Sequence, residues 1–140
     1  MAIVNRTPDS FYDKGATFAV DKALSRIDDA CAAGASIIDI GGVKAGPGDA
    51  VDAAEEIDRV VPVIARARER HPDVTISVDT WRAPVAEAAI AAGADLINDT
   101  WAGVDPELVE VAGQHRVGYV CSHTGGAIPR TRPHRVHYDD

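Results

Sequence analysis

Residues 32–40 read AAGASIIDI. The alanines suit the end of a helix, Gly34 suits the residue that stops one, and Ile37, Ile38 and Ile40 suit the interior of a sheet. The stretch returns as AAGADLIND at 91–99. Helix end, glycine stop and an apolar strand closing in polar residues make one βα building block, present here in two copies. In that alignment Asp39 falls on Asn98.

Outward from these copies the alternation continues. MAIVN (1–5) reads as a short buried strand. Residues 6–18 form a loop with Pro8, Asp9, Ser10 and Gly15 as turn residues. Val20, Leu24, Ile27 and Cys31 recur at helical spacing over 20–33. After SIIDI (36–40) comes a Gly/Pro loop over 42–50. A helix over 51–70 then turns Ile57, Val60, Val61 and Ile64 inward and contains Pro62, which is expected to bend it. TISVD (75–79) is a third strand. A helix begins near 83 with Pro84 in its first turn. DLIND (95–99), a helix over 106–115 and GYVCS (118–122) follow, and 123–140 reads as loop.

Apolar strands alternating with helices form a parallel sheet covered by helices. An open doubly wound sheet gathers its polar strand ends at one switch point, whereas a barrel brings every strand end to one mouth. Asn5, Asp39, Asp79 and Asn98 stand at or near the ends of successive strands, and His123 follows the fifth. That distribution favours a barrel. A whole (β/α)8 barrel takes about 250 residues; the 140 here supply four βα units and a fifth strand. The expected fold is therefore α/β, the N-terminal half of a (β/α)8 TIM barrel, as a single partial domain over 1–140.

Composition sets outer limits. Hydrophobic residues are 46% and charged residues 26%, the balance of a globular domain. A net charge of −8 argues against nucleic-acid or anionic-membrane partners. No run of 18 apolar residues spans a bilayer and no signal peptide opens the chain, so a cytoplasmic location is expected. Cys31 and Cys121 match no metal spacing and read as two reduced core thiols.

The strand-end quartet carries the chemistry. A buried carboxylate or amide must find partners. Asp accepts from two donors and Asn offers one donor group and one acceptor, which suits a flat heterocycle with adjacent N–H, amino and acceptor groups. In the first loop, Asp9, Ser10 and Asp13 suit a hard cation or charged ligand. The loop GGVKAGPGD (41–49) is neither a phosphate-binding P-loop nor a dinucleotide fingerprint; its glycines suit a sharp turn into a mobile lid. His123 reads as a histidine satisfied at a strand end, and RTRPHRVH (130–137) as a solvated basic loop. No Ser-His or Cys-His pair is readable.

Taken together, NRTPDSFYDKG, IIDIGGVKAGPG, SVDTWRA, LINDTWAG and the histidine of CSHTGG resemble the ordered motifs of dihydropteroate synthase. Those are N-V-T-P-D-S-F-S-D-G-G, D-[IV]-G-G-E-S-[TS]-R-P-G, S-[IV]-D-T, N-D-[IV] and M-H. The resemblance covers most of the chain and is nearest to a divergent actinobacterial branch carrying V-K-A-G-P-G. It implies a transferase of folate biosynthesis that joins 6-hydroxymethyl-dihydropterin diphosphate to p-aminobenzoate and releases diphosphate. By the same resemblance Mg²⁺ holds the diphosphate, with Asn5 at the metal site. Asp79 and Asn98 bind the pterin, Asp39 supports them, and Phe11, Asp13, Lys44, Pro47 and Gly48 belong to the two substrate loops.

The chain departs from those motifs in two places. The family's Glu-Ser-Thr/Ser-Arg is replaced by Val43, Lys44, Ala45 and Gly46, which opens the identity of the acceptor, p-aminobenzoate or another. Tyr12 and Lys14 replace the usual Ser and Gly of the first loop. Later family motifs, among them a pterin aspartate, an S-R-K lysine and an Arg-x-His anion site, do not occur. The expectation is a half-barrel that exposes strand edges and an apolar helix face. It is catalytically dead alone, and forms a homo-oligomer or is completed by a C-terminal half. The alternatives are a non-catalytic paralogue that binds pterin or a partner chain, and a methyltetrahydrofolate-binding barrel.

Overall fold

A computed structural model describes residues 1–5, 15–44, 46–124 and 128–130. Five strands and four helices alternate: β1 (Ala2–Asn5), α1 (Gly15–Ala32), β2 (Ile37–Gly41), α2 (Ala53–Arg70), β3 (Thr75–Asp79), α3 (Ala83–Ala91), β4 (Leu96–Asp99), α4 (Glu107–His115) and β5 (Gly118–Cys121). All neighbours pair in parallel, in the order β1-β2-β3-β4-β5. The order never reverses, so there is no switch point of the doubly wound kind. Each helix packs on the next, making one layer over one face of the sheet.

Strand alternation divides the sheet into a helix-facing side and an inner side. The helix side carries the register row Val4, Ile40, Val78, Ile97 and Tyr119, with Ile38 and Ile76 below it. These side chains interlock with Leu24 and Ile27 of α1, Val60, Val63 and Ile64 of α2, Val85 and Ala89 of α3, and Leu108 of α4. The inner side is different. One row reads Ile3, Asp39, Ser77, Leu96, Gly118, and the next, nearer the C-terminal strand ends, Asn5, Gly41, Asp79, Asn98, Val120. On the two edge strands this side is open: Ile3 is 59% and Val120 43% exposed. Val109 on α4 is exposed as well.

Several expectations need adjusting. Helix α1 starts at Gly15, not near 20, so the first loop is shorter than its polar residues suggested. Pro62 faces solvent and α2 runs through it without a break; Val63 and Ala67 join Val60 and Ile64 at the core, while Ile57 and Val61 are only partly buried. The thiols are not core groups: Cys31 is half-buried, and Cys121 is exposed because β5 is an edge strand. Gly34 and Gly93 take the left-handed conformation their helix-stop reading requires.

Helix starts and strand feet are secured by side chains that composition does not advertise. Asp52 caps α2 through the Glu55 amide at 2.8 Å. Asp105 accepts from the Ala83 amide at 2.8 Å and the Glu107 amide at 3.1 Å, and so caps α3 and α4 together. At the opposite end of the sheet Arg68 donates to the carbonyls of Gly93, Pro72 and Val74 and pairs with Asp95. No helix among the described residues is long and apolar enough to cross a membrane.

Candidate functional site

The inner face at the C-terminal strand ends is polar, and its side chains are organised around a buried carboxylate. Asp39 is 3% exposed. Ser77, its register partner on β3, donates Oγ–H to Oδ1 at 2.6 Å, and Asn98 donates Nδ2–H to Oδ2 at 3.1 Å. The Asn98 contact runs diagonally across β3. The internal repeat pairs Asp39 with Asn98, but the sheet does not. Its register sets Asn98 level with Asp79 and Gly41, one inward step above Asp39. The two copies thus supply different layers of one site.

Asp79 and Asn5 flank a gap in the upper row. A Cβ at Gly41 would stand 3.1 Å from Asn5 Oδ1 and 3.3 Å from Asp79 Oδ2. Gly41 therefore leaves a hollow between an amide and a carboxylate. Thr100 donates to Asp79 Oδ1 at 3.0 Å, leaving Oδ2 toward that hollow. Burial, then the negative charge of Asp39, pushes the Asp79 carboxyl up to about 6; Glu56 and Asp99 add to the rise and the Thr100 hydroxyl opposes it. An acceptor held near its own protonation point gains from a ligand that brings N–H donors.

Gly42 has another reason. Its Cβ would lie 2.9 Å from Val60 Cγ1 and 3.1 Å from Glu56 Cγ, so the chain leaves β2 pressed onto α2. Neither Gly41 nor Gly42 takes a positive φ. The chain bends at Gly42 and Val43 without a left-handed residue, and the two glycines relieve crowding on opposite faces of the sheet.

The second loop is fastened at both feet. Arg59 donates to the Gly42 carbonyl at 2.8 Å and pairs with Glu55. Arg82 donates to the Val51 carbonyl at 2.7 Å, pairs with Glu56, and lies 4.5 Å over the Trp81 ring. Trp81 meets Trp101 edge to face at 6.3 Å. Glu56 is 1% exposed; burial pushes its carboxyl up, against the hydrogen bond from Thr80 and the charges of Arg82 and Arg59. Val43 and Val51 are buried at the loop's ends, while Lys44, Pro47 and Gly48 are not.

The structure thus brings Asn5, Asp39, Asp79 and Asn98 together, while His123 occupies an exposed position after β5. Phe11, Asp13 and Ala45 lie outside the described residues, as does the basic stretch after Arg130. Sequence reading missed Ser77 and Thr100. Ser77 was findable, since it stands two residues before Asp79 and so shares its face. Asp99, beside Asn98, turns the other way. It accepts from the amides of Trp101 and Gly103 and from Tyr119 Oη at 2.6 Å, which makes it a loop anchor; burial and this carboxylate push the Tyr119 hydroxyl up.

Among the described residues no group of three His, Cys, Asp or Glu is placed to hold an ion unaided. The hollow does contain the oxygens of Asn5 and Asp79, the hard donors Mg²⁺ takes when a substrate's phosphates and water supply the rest. The residues fit a shared metal site of that kind.

With this geometry in view the comparisons are informative. A family model described as pterin binding enzyme matches residues 1–140. The chain is 65% identical over 138 residues to a Mycobacterium tuberculosis protein named inactive dihydropteroate synthase 2, covering 99% of this chain and 43% of that one. It is 45% identical over 125 residues to the dihydropteroate synthase of Streptococcus pyogenes, covering 88% of this chain and 47% of that one. The solved structure of Xanthomonas albilineans dihydropteroate synthase with 4-aminobenzoic acid matches at a TM-score of 0.83 and 40% identity, over 99% of this chain and 48% of that one. The chain spans less than half the length of these relatives, and its five-stranded sheet is half of their barrel.

Proposed function

The chain belongs to the pterin binding enzyme family, and on that premise we propose that residues 1–140 form the pterin-binding floor of a dihydropteroate synthase-type barrel. The observation that carries the reading is the bonding of Ser77 and Asn98 to buried Asp39, with Asp79 in the next row beside the hollow left by Gly41. Asp79 Oδ2 accepts the adjacent N–H donors of a pterin ring. Asp39 holds the Asn98 amide by one N–H, so the Asn98 oxygen and its second N–H are left for the ring. Ser77 in turn fixes Asp39. Asp39 is thereby a positioning residue, and neither it nor Asp79 is needed as a strong base.

In the synthase reaction the ring's 6-methylene carbon loses diphosphate and gains the arylamine nitrogen. Two carboxylates behind the ring favour positive charge developing on the pterin as the diphosphate departs. Bound Mg²⁺ would neutralise the leaving diphosphate; Asn5 would hold that ion. The same residues also serve a second reading, a pterin-binding relative without synthase activity. It is favoured by Val43, Lys44, Ala45 and Gly46 in the second loop and by the name of the mycobacterial relative. In both readings the floor is common and the acceptor differs.

Calorimetric titration of the chain with 6-hydroxymethylpterin, beside an Asn98→Ala variant, tests the floor. Binding by the parent chain, weakened at least tenfold in the variant, is expected. Absence of pterin binding by a folded parent chain overturns the assignment. With the barrel completed by a C-terminal half, adding p-aminobenzoate and Mg²⁺ to the pterin diphosphate complex then separates the two readings by whether dihydropteroate forms.

A further inference from the structure

This is an acidic chain, with 22 Asp and Glu against 14 Lys and Arg. Its arginines have carboxylates to choose from and use them: Arg59, Arg68, Arg70 and Arg82 each pair with one. Arg130 does not. It is half-buried, its Nε is sealed from solvent, and that N–H meets no acceptor among the described residues. A guanidinium is a permanent cation with five donors, and leaving a buried N–H of it unanswered is costly.

Its position gives the vacancy meaning. A Cβ on Gly48 would stand 3.0 Å from Arg130 Nη2, so the guanidinium lies against the backbone of the second loop, which leaves β2 at the mouth. Gly48 leaves the space this approach requires. The Arg130 backbone is left-handed at φ 63°, a conformation rare outside glycine, and such strain gathers at ligand sites. An element distant in sequence therefore places a cation on the loop that lacks arginine at 43–46.

We propose that Arg130 is an oxyanion-binding residue of the mouth, taking a carboxylate or phosphate oxygen presented over the second loop. The choice of source rests on the pterin reading above: the carboxylate of an arylamine acceptor or the diphosphate that leaves. A planar fork of donors matches either group in two-point contact.

The test is calorimetric titration of the chain and of Arg130→Met with p-aminobenzoate, with its neutral amide, and with inorganic pyrophosphate. Arg130→Met should weaken one anion at least tenfold while leaving the amide and 6-hydroxymethylpterin within twofold. Loss confined to p-aminobenzoate assigns the carboxylate, and loss confined to pyrophosphate assigns the phosphate. Arg130→Lys, which keeps charge but not the fork, should weaken the same anion by a smaller factor. If Arg130→Met fails to fold, Gly48→Ala, whose methyl displaces the guanidinium, should give the same selective loss. Failure of the parent chain to bind either anion, or equal binding by parent and variant, overturns the proposal. Loss of pterin binding with the anion effect intact overturns the pterin reading alone.

Discussion

Asp79→Asn should make the protein more stable at neutral pH and less able to bind a pterin. Burial and the Asp39 charge hold the Asp79 carboxyl at about 6 in the fold, against 3.8 for the ordinary side chain. Between those values the native state binds more protons than the unfolded chain. Stability therefore falls as pH rises through this window, and above it the ionised group costs the fold about 3 kcal/mol. Asparagine removes that charge with little change of shape. Its oxygen still accepts from Thr100, and its new N–H groups face the Asn5 oxygen across Gly41. Urea unfolding of both proteins from about pH 4 to about pH 8 reads the effect, because titrations of groups not coupled to Asp79 are shared. The difference should be near zero at the acid end and open to about 3 kcal/mol in favour of the variant at the alkaline end, or about 1–3 M in urea midpoint. Pterin affinity should fall at least tenfold, since the amide's one acceptor stays with Thr100 and its N–H groups meet the ring's own donors. A stability difference that stays flat across the window would refute the account of Asp79, as would a difference of the opposite sign.

Three further outcomes rest on other parts of the fold. Asp105→Ala removes the cap shared by α3 and α4 and should cost about 1–3 kcal/mol in chemical denaturation, with Asp105→Asn recovering part of it. Gly42→Ala puts a methyl 2.9 Å from Val60 Cγ1 and should cost about 1–3 kcal/mol by thermal or urea melting, because Val60 is fully buried and cannot yield. Arg68→Met leaves the carbonyls of Gly93 and Val74 without their guanidinium. It should lower stability by about 2–4 kcal/mol while pterin affinity holds within threefold, since Arg68 stands at the end of the sheet away from the mouth.

How far the sequence could be read depends on whether a feature is periodic or pairwise. Ile38, Ile40, Ile76, Val78 and Ile97 follow strand alternation, and Val60 and Ile64 follow helical spacing, so the layers were legible from residue type. Asp39, Asp79 and Asn98 were legible because carboxylates and amides are anomalous in apolar strands. Register was not: nothing local says that Asp39 lies level with Ser77 and not with Asn98, since parallel register is set by the packing of helices between strands. The reason for Gly41 and Gly42 was hidden for a similar cause. A glycine required by crowding looks, in one dimension, like a glycine required by a turn. Arg82 and Glu56 escaped notice, and Arg130 read as part of a solvated loop, because their contacts are remote and their residue types are ordinary on a surface.

The arrangement of the second loop explains how its middle could change without loss of the floor. Arg59 and Arg82 hold the loop by backbone carbonyls, those of Gly42 and Val51. Each guanidinium is itself fixed on a carboxylate of α2, Glu55 or Glu56. Substitution at 44–46 therefore leaves the loop's feet where they are. The floor rests on β2, β3 and β4, whose side chains bond to one another across the strands. On the proposed reading, a chain built this way can alter its recognition of a second ligand while keeping the residues that read the first, with no new requirement on the core. A cation from another element needs only to reach the loop's backbone to act there, and Arg130 lies against it at Gly48.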